Sequence, residues 1–307
     1  MNVQNQQIAI LGAASSWGAA YAGCQLAPMA LWRAGLAVHL QQQGLNADWF
    51  GICEITPGAA DHDPQMWEVY DQILRYNTAI AREVAELVDA GNFPVVVGGD
   101  HSVAMGTWAG IISTHKAAGK FGLLWCDAHM DAHTPVSASQ GKWGGHFHGT
   151  PLAHLLGHGD RDLSEIAGRK AKLLGKYVAL IGTRSYEPAE QTFLKKMGVR
   201  VFDMAEIKQR GLPSILADAL HIVSQAPKGW GMSFDADMLT PKDMPAVGTP
   251  ESHGVAYKDC LQAFENATWP QGCRGFELVE YLPLLDPKGA CAKKLMAIAG
   301  AVLKGVV

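Results

Sequence analysis

The chain has 307 residues, of which 48% are hydrophobic and 18% charged, and its formal net charge at pH 7 is -4. This composition is typical of a globular protein, and it excludes disordered, collagen-like and coiled-coil chains. Because lysine and arginine are scattered and the net charge is small, it also excludes the basic stripe of a nucleic-acid-binding protein. We therefore expect no nucleic-acid partner.

The amino-terminal residues lack the features of a targeting segment. No basic stretch precedes a long apolar run in residues 1–12, and the longest apolar stretches elsewhere are interrupted by Gly, Pro or Asp. We therefore expect a cytoplasmic protein without a signal peptide, a spanning helix or a membrane partner. In that compartment the six cysteines, which include no CxxC pair, are expected to be reduced and mostly buried.

Eight short apolar runs alternate with longer segments of helical character. The runs lack period-two alternation, which indicates strands buried on both faces, as in a parallel sheet. They span residues 8–11, 49–53, 94–97, 121–126, 177–181, 199–202, 230–234 and 275–279. The predicted helices span residues 28–43, 65–90, 103–118, 188–197, 213–223, 258–267 and 290–303.

This alternation predicts one α/β domain with a parallel sheet over residues 1–307. The sequence contains no recognisable linker, internal repeat or low-complexity segment. Two loops, residues 133–149 and 238–254, are unusually long and rich in Gly, Pro and Ser. Loops of this length inside a compact domain are commonly functional.

Acidic residues and histidines cluster where three of the predicted strands end. Parallel α/β folds place their sites at such carboxyl ends. Since alternate residues of an extended chain point the same way, the groups that follow each strand can share one face. The six residues are His101, Asp127, His129, Asp131, Asp235 and Asp237.

Together these six side chains predict a metal site, although any one of them alone would more often be a cap or a hydrogen-bonded loop residue. Burying four carboxylates together without cations would be prohibitively costly. Their charge exceeds what one divalent ion neutralises, so we expect two bridged cations. The absence of cysteine ligands argues against structural zinc, and the many carboxylates favour manganese.

The motifs that contain these residues resemble those of the ureohydrolase family, which includes arginase and agmatinase, and most closely those of arginases. They are GGDHS, DAHMDAH and SFDADMLTP, in the family's order and approximate spacing, and the resemblance covers essentially the whole chain. It implies a three-layer αβα fold with an eight-stranded parallel sheet. It also implies a homo-oligomer (trimer or hexamer) and two Mn²⁺ ions per subunit.

The resemblance further implies how the metal ligands divide between the two ions. One ion would be held by His101, Asp127, Asp131 and Asp235. The other would be held by Asp127, His129, Asp235 and Asp237, so that two carboxylates bridge. A hydroxide shared by the ions would attack a guanidinium carbon and release urea and an amine.

Three residues take catalytic roles by the same resemblance. Asp237 stands where the family places a carboxylate that hydrogen-bonds the bridging water. His148 is the candidate that hands a proton to the departing amine, with an exposed loop histidine as the alternative interpretation. Glu280 would pair with the guanidinium through two hydrogen bonds, because it lies nearer the end of the last strand than Glu277 does.

The predicted reaction is the hydrolysis of L-arginine to L-ornithine and urea. The segments after the second motif and around residue 187 resemble the parts of arginases that surround the amino-acid end of the substrate. Glu187 and Glu190 would hold the α-amino group. The full set of predicted substrate-binding residues is His133, Ser137, Ser139, Glu187, Glu190 and Glu280.

Departures from the arginase pattern leave other guanidino substrates open. His133 stands where arginases often have Asn, and Ser185 replaces an acidic residue. Agmatinase, guanidinobutyrase and formimidoylglutamase activities are therefore alternatives. A non-catalytic scaffold is a more distant alternative, because such relatives typically lose metal ligands and all six positions are filled here.

Overall fold

Eight β-strands form one sheet in this computed structural model, which describes residues 6–53, 66–138, 146–168 and 171–307. They are β1 (Ile8–Ala13), β2 (Ala47–Cys53), β3 (Phe93–Gly98), β4 (Gly122–Cys126), β5 (Val178–Thr183), β6 (Arg200–Asp203), β7 (Trp230–Asp235) and β8 (Cys273–Val279). All neighbours run parallel, in the order β2-β1-β3-β8-β7-β4-β5-β6. The parallel sheet expected from the sequence is confirmed.

Helices cover both faces of the sheet. In the described part of the chain they are α1 (Ala27–Arg33), α2 (Leu36–Gln42), α3 (Met66–Asp89), α4 (Ala104–Thr114), α5 (Pro135–Ala138), α6 (Pro151–Leu155), α7 (Arg161–Ser164), α8 (Pro188–Met197), α9 (Met204–Arg210), α10 (Leu212–Ser224), α11 (Tyr257–Glu265) and α12 (Ala290–Val306). Buried residues of α1, α2 and α9–α12 pack on one face, and those of α3, α4, α6 and α8 on the other. The three-layer arrangement is therefore also confirmed. None of these helices is long and apolar enough to cross a membrane.

The prediction of one continuous helix over residues 28–43 was wrong. Gly35 has a φ of 84°, a left-handed conformation that ends α1 and starts α2. Leu31 and Leu36, on either side of the break, are both fully buried in the same core. The chain therefore turns without exposing its apolar residues, and an apolar pattern cannot reveal such a break.

The cysteines follow the sequence prediction. All six are buried, and none forms a disulfide. A chain of this size can build its core without covalent crosslinks.

The strands that carry the predicted metal ligands meet in the middle of the sheet. β3 and β4 follow one another along the chain, but β8 and β7 lie between them. The carboxyl ends of four strands therefore come together at one edge. In open α/β sheets this is where ligands bind.

The Gly-Gly pair after β3 permits a close crossing of two backbone segments. A Cβ atom at Gly99 would lie 1.8 Å from the carbonyl oxygen of Ser15, in the loop that follows β1. Asp100 then caps the turn at residues 101–103 by accepting the N–H of Ser102, and it also accepts the hydroxyl of Ser15. This packing fixes the backbone at His101.

Candidate metal centre

The imidazole of His101 faces three carboxylates at the ends of β4 and β7. Its Nδ1 lies 3.2 Å from Asp127 Oδ2, 3.0 Å from Asp131 Oδ2 and 3.1 Å from Asp235 Oδ2. All four residues are buried, yet this Nδ1 forms no regular hydrogen bond with the described residues. Octahedral bonds of about 2.1 Å to a small divalent cation would separate neighbouring ligand atoms by about 3 Å. These four side chains, which we call the first donor group, therefore fit a shared cation.

A second donor group consists of His129, Asp127 and Asp237. Its Nδ1 lies 3.0 Å from Asp237 Oδ2 and 3.5 Å from Asp127 Oδ1. Asp127 thus directs one oxygen to each histidine, and the two groups are joined through it. The side chain of His129 is 25% exposed, whereas that of His101 is 1% exposed.

The pKa values of Asp131 and His101 in the first donor group are strongly shifted. Burial and the neighbouring Asp127 charge raise the pKa of the Asp131 carboxyl to about 7. Burial lowers the pKa of His101, but the three surrounding carboxylates outweigh it and raise that pKa well above its ordinary value. A concentration of carboxylates that holds protons in this way is the environment that divalent cations neutralise.

The remaining contacts of the ligand carboxylates orient them. Trp125 donates its indole N–H to Asp127 Oδ2 at 2.8 Å, and its ring stacks on His101 at a centroid distance of 4.1 Å. Asp235 Oδ1 accepts the backbone N–H of Asp237 at 2.7 Å. Asp131 has a φ of 49°, a left-handed conformation that Asp tolerates better than most residues.

Glu280 and His148 form a hydrogen-bonded pair beside the metal ligands. His148 Nδ1 lies 3.1 Å from Glu280 Oε1, which also accepts the backbone N–H of His101 at 2.8 Å. The thiol of Cys24 donates to the other oxygen at 3.6 Å. Glu280 has a φ of 63°, which is strained for a residue of this size. The side chain of His148 is only 16% exposed, so it is not a fully exposed loop histidine.

The charges of this pair follow from their contact. Burial raises the pKa of Glu280, but the hydrogen bond and charge of His148 lower it below its ordinary value. Burial lowers the pKa of His148, but Glu280 raises it to about 9. At neutral pH the pair is therefore an imidazolium and a carboxylate.

Apart from Glu280, the predicted substrate-binding residues that the structure describes surround His133. His133 Nε2 is 2.6 Å from Glu187 Oε2 and 3.3 Å from Glu190 Oε2. Glu187 and Glu190 form a capping box at the start of α8, and Glu190 also accepts the N–H of Ala132. The side chain of Glu187 is 44% exposed and that of Glu190 only 4%, so Glu187 is the more accessible carboxylate. Ser137 accepts the N–H of Thr134 at 2.9 Å, and predicted Ser139 lies outside the described residues.

A cavity of about 220 Å³ connects these groups. Its described walls include residues from both donor groups, the Glu280–His148 pair, and His133 with Glu187. No lysine or arginine belongs to the walls as far as the structure describes them. The cavity is therefore lined mainly by carboxylates and imidazoles, which suits a cationic ligand.

Sequence reasoning missed several residues of the site. Thr249 donates its hydroxyl to Asp237 Oδ2 at 3.2 Å, and Glu251 Oε1 lies 3.8 Å from His129 Nε2. Glu251 also accepts the hydroxyl of Ser185 at 3.0 Å. Both residues lie in the 238–254 loop, whose length was the available signal.

Arg184 holds this loop in place. Its guanidinium donates to the carbonyl oxygens of Asp237 at 2.7 Å, Glu251 at 2.9 Å and Ser252 at 2.9 Å. Five N–H groups in a fixed plane allow one side chain to bind several carbonyls. No sequence signal distinguishes such an arginine from an ordinary loop residue.

Comparison with known proteins adds an independent line of evidence. The Arginase family model matches residues 6–303. An arginase of Brevibacillus brevis is 32% identical over 298 residues, covering 97% of this chain and 98% of that protein. The crystal structure of arginase from Bacillus subtilis superposes with a TM-score of 0.85 at 30% identity, covering 97% of this chain and 98% of the other. For the arginase of Bacillus caldovelox the TM-score is 0.86 at 30% identity, with coverage of 97% and 98%.

Proposed function

Because this chain belongs to the arginase family and is an amidinohydrolase, we propose that it hydrolyses L-arginine to L-ornithine and urea with two manganese ions. The observation that carries the proposal is the pair of donor groups joined through Asp127 beside the Glu280–His148 pair. Metal ligands, a carboxylate for a guanidinium and a proton donor are then present in one cavity.

The six predicted ligands would hold the ions in two sets that share Asp127 and Asp235. The sets are His101, Asp127, Asp131 and Asp235, and Asp127, His129, Asp235 and Asp237. Bound divalent cations supply the activation of water for attack on the guanidinium carbon. Asp237 would accept a hydrogen bond from that water. Manganese suits a donor set of carboxylates and imidazoles without thiolates.

Glu280 would bind and orient the guanidinium. It is ionised at neutral pH and lies on the cavity wall beside the first donor group. A planar guanidinium pairs with a carboxylate through parallel hydrogen bonds, which fixes its angle as well as its position.

His148 would provide the proton that the departing amine needs. With a pKa of about 9 it carries a proton at neutral pH, and Glu280 holds its Nδ1 side. A positioned imidazolium on the cavity wall is a suitable general acid. Breakdown of the tetrahedral intermediate to ornithine and urea then requires no proton from bulk water.

L-Arginine is the first choice of substrate because the relatives described above are arginases over nearly their full length. Glu187 would hold the α-amino group, with Glu190 behind it. His133 and Ser137 would address the α-carboxylate.

Agmatine is a second candidate, and the surroundings of His133 favour it. Burial lowers the pKa of His133, so this imidazole brings no full positive charge to an α-carboxylate at neutral pH. The adjacent carboxylates of Glu187 and Glu190 suit a substrate whose distal end is only an amine. By the same argument, 4-guanidinobutyrate, which carries a carboxylate and no amine at its distal end, is disfavoured.

Urea release by the manganese-loaded protein tests this proposal. L-Arginine, agmatine and 4-guanidinobutyrate are compared at equal concentration, with Glu280→Gln as the negative control. Preference for L-arginine supports arginase activity, and preference for agmatine replaces it with the second candidate. In the latter case His133→Asn should shift the preference towards L-arginine. Urea from none of the three would overturn the proposal.

We further propose a cytoplasmic homo-oligomer, a trimer or hexamer, whose subunits each carry one catalytic domain over residues 1–307. Large apolar side chains on the surface support association, among them Tyr21 at 65%, Trp32 at 53% and Leu284 at 68% exposure. Light scattering on the purified protein measures the mass directly, and a monomer would refute the oligomer.

A further inference from the structure

Glu277 is a buried carboxylate that the proposed reaction does not use. It lies in the middle of β8 and is fully buried, whereas Glu280, three residues later, reaches the cavity wall. Burying a carboxylate costs free energy unless hydrogen bonds or an opposite charge compensate it. Its contacts indicate which role it has.

A hydrogen-bond relay runs from Glu277 through Ser233 to His101, one of the predicted metal ligands. Glu277 and Ser233 are directly paired in the register of β8 and β7, and the Ser233 hydroxyl lies 2.6 Å from Glu277 Oε2. On its other side, Ser233 Oγ lies 2.9 Å from Nε2 of His101. Trp108 donates its indole N–H to the same Glu277 oxygen at 3.1 Å. All four residues are buried.

The donors and acceptors fix the direction of these bonds. As a carboxylate, Glu277 only accepts, so the single hydroxyl hydrogen of Ser233 points to it. The oxygen of Ser233 then accepts the N–H at Nε2 of His101. When His101 is neutral, as a metal-ligating imidazole is, its lone pair is consequently on Nδ1, the atom that faces the three carboxylates of the first donor group.

We propose that Glu277 is a positioning residue which, through Ser233, selects the His101 tautomer that presents Nδ1 to a divalent cation. This inference rests on the proposed function, because it assigns a cation to the first donor group. The buried negative charge behind the ring also makes Nδ1 a stronger ligand. Partners of this kind typically change metal affinity about 10–100-fold when they are removed.

His129 has no equivalent relay within the described residues. Its Nε2 faces Glu251 at 3.8 Å, beyond hydrogen-bonding distance, and the side chain of Glu251 is 39% exposed. Loss of the relay should therefore weaken one ion of the pair and leave the other close to its normal affinity.

The test is manganese titration of the metal-free full-length protein, followed by the electron paramagnetic resonance signal of free Mn²⁺. For Glu277→Gln and Ser233→Ala we expect one ion to bind about 10–100-fold more weakly and the other nearly unchanged. Ser233→Thr keeps the hydroxyl and should recover most of the affinity. Trp108→Phe is the matched control, because it disturbs the same cluster and leaves the relay connected.

Thermal unfolding of the metal-free variants separates positioning from a structural role. Burial raises the pKa of Glu277, so replacing it with a neutral amide should not lower the melting temperature. A lower melting temperature with unchanged affinity for both ions would overturn the inference, as would normal binding of both ions by Ser233→Ala. Failure of the wild-type protein to bind two ions would instead overturn the proposed function.

Discussion

The two histidines of the candidate metal centre occupy different surroundings. His101 is buried, stacked on Trp125 and linked through Ser233 into the sheet. His129 is 25% exposed, and Glu251 beside it belongs to a loop. One half of the centre thus has its histidine in the core, whereas the histidine of the other half lies on the cavity wall. The difference teaches that a candidate metal centre can combine a histidine held in the core with a histidine that is open to the cavity.

Removal of the residue shared by both halves should have the largest effect. Asp127 directs one carboxylate oxygen to each donor group, and Asp127→Asn replaces one of these oxygens with an NH2 group and removes the negative charge that both groups share, so both ions should bind poorly. Several kcal/mol of metal assistance correspond to a loss of roughly 1000-fold in turnover. Metal analysis and urea release measure the two consequences. Asp131→Asn alters only the His101 half, and equal damage by both substitutions would contradict the division.

Replacement of His148 should separate chemistry from metal binding. His148→Asn removes the proton donor, and we expect turnover to fall about 10²–10⁴-fold. Manganese content should stay at the wild-type value, since His148 is not one of the six predicted ligands and its ring nitrogen hydrogen-bonds Glu280. His146→Asn, in the same cavity, should cause a much smaller loss. Unchanged turnover in His148→Asn would remove this residue from the reaction.

The folded protein should lose free energy of unfolding in mild acid because of His154. Burial lowers its pKa to about 4 from the ordinary histidine value of 6.5. Between these pH values the unfolded chain binds a proton that the folded chain excludes. The free energy of unfolding should therefore fall as pH drops from 6.5 to 4, by about 3 kcal/mol in total.

Urea unfolding of the metal-free protein at pH 7 and pH 4.5 measures this contribution. Above pH 6.5 the imidazole is neutral in both states and the contribution is fully present. A His154→Leu variant should lose less stability between the two pH values than the wild type does. An identical loss in both proteins would exclude His154 as the source.

The smallest effect is expected at the loop that borders the His129 half. Ser185→Ala removes the hydrogen bond to Glu251, which in ordinary cases contributes about 1 kcal/mol. The Michaelis constant should rise less than about tenfold, while manganese affinity is unchanged. A loss of metal would show that this half is as dependent on its surroundings as the His101 half.

The sequence predicts the two donor groups better than the rim of the cavity. The predicted metal ligands follow buried strands, and the alternation of side chains in an extended chain brings them together. The relay from Glu277 to Ser233 was not predictable in the same way. It depends on the insertion of β8 and β7 between β3 and β4 and on their register, neither of which apolar runs determine.

At the rim, the sequence signal was present but admitted two interpretations. Glu187 and Glu190 were predicted to bind an α-amino group, yet a pair of carboxylates three residues apart around Pro188 is also the pattern of a helix start. In the structure both oxygens of Glu190 accept backbone N–H groups. The break at Gly35 is a further case, because apolar residues continue on both sides of it.

The anchoring of the 238–254 loop by Arg184 has a consequence for how new specificities could evolve. The guanidinium binds carbonyl oxygens of the loop backbone, which every amino acid possesses. Side chains at Glu251 and Ser252 can therefore be exchanged while the loop remains attached in the same place. Divergence to another substrate, in nature or in a mutant library, can therefore proceed by single substitutions in this loop. A substitution of Arg184 itself would instead remove the hydrogen bonds that hold the loop backbone in place.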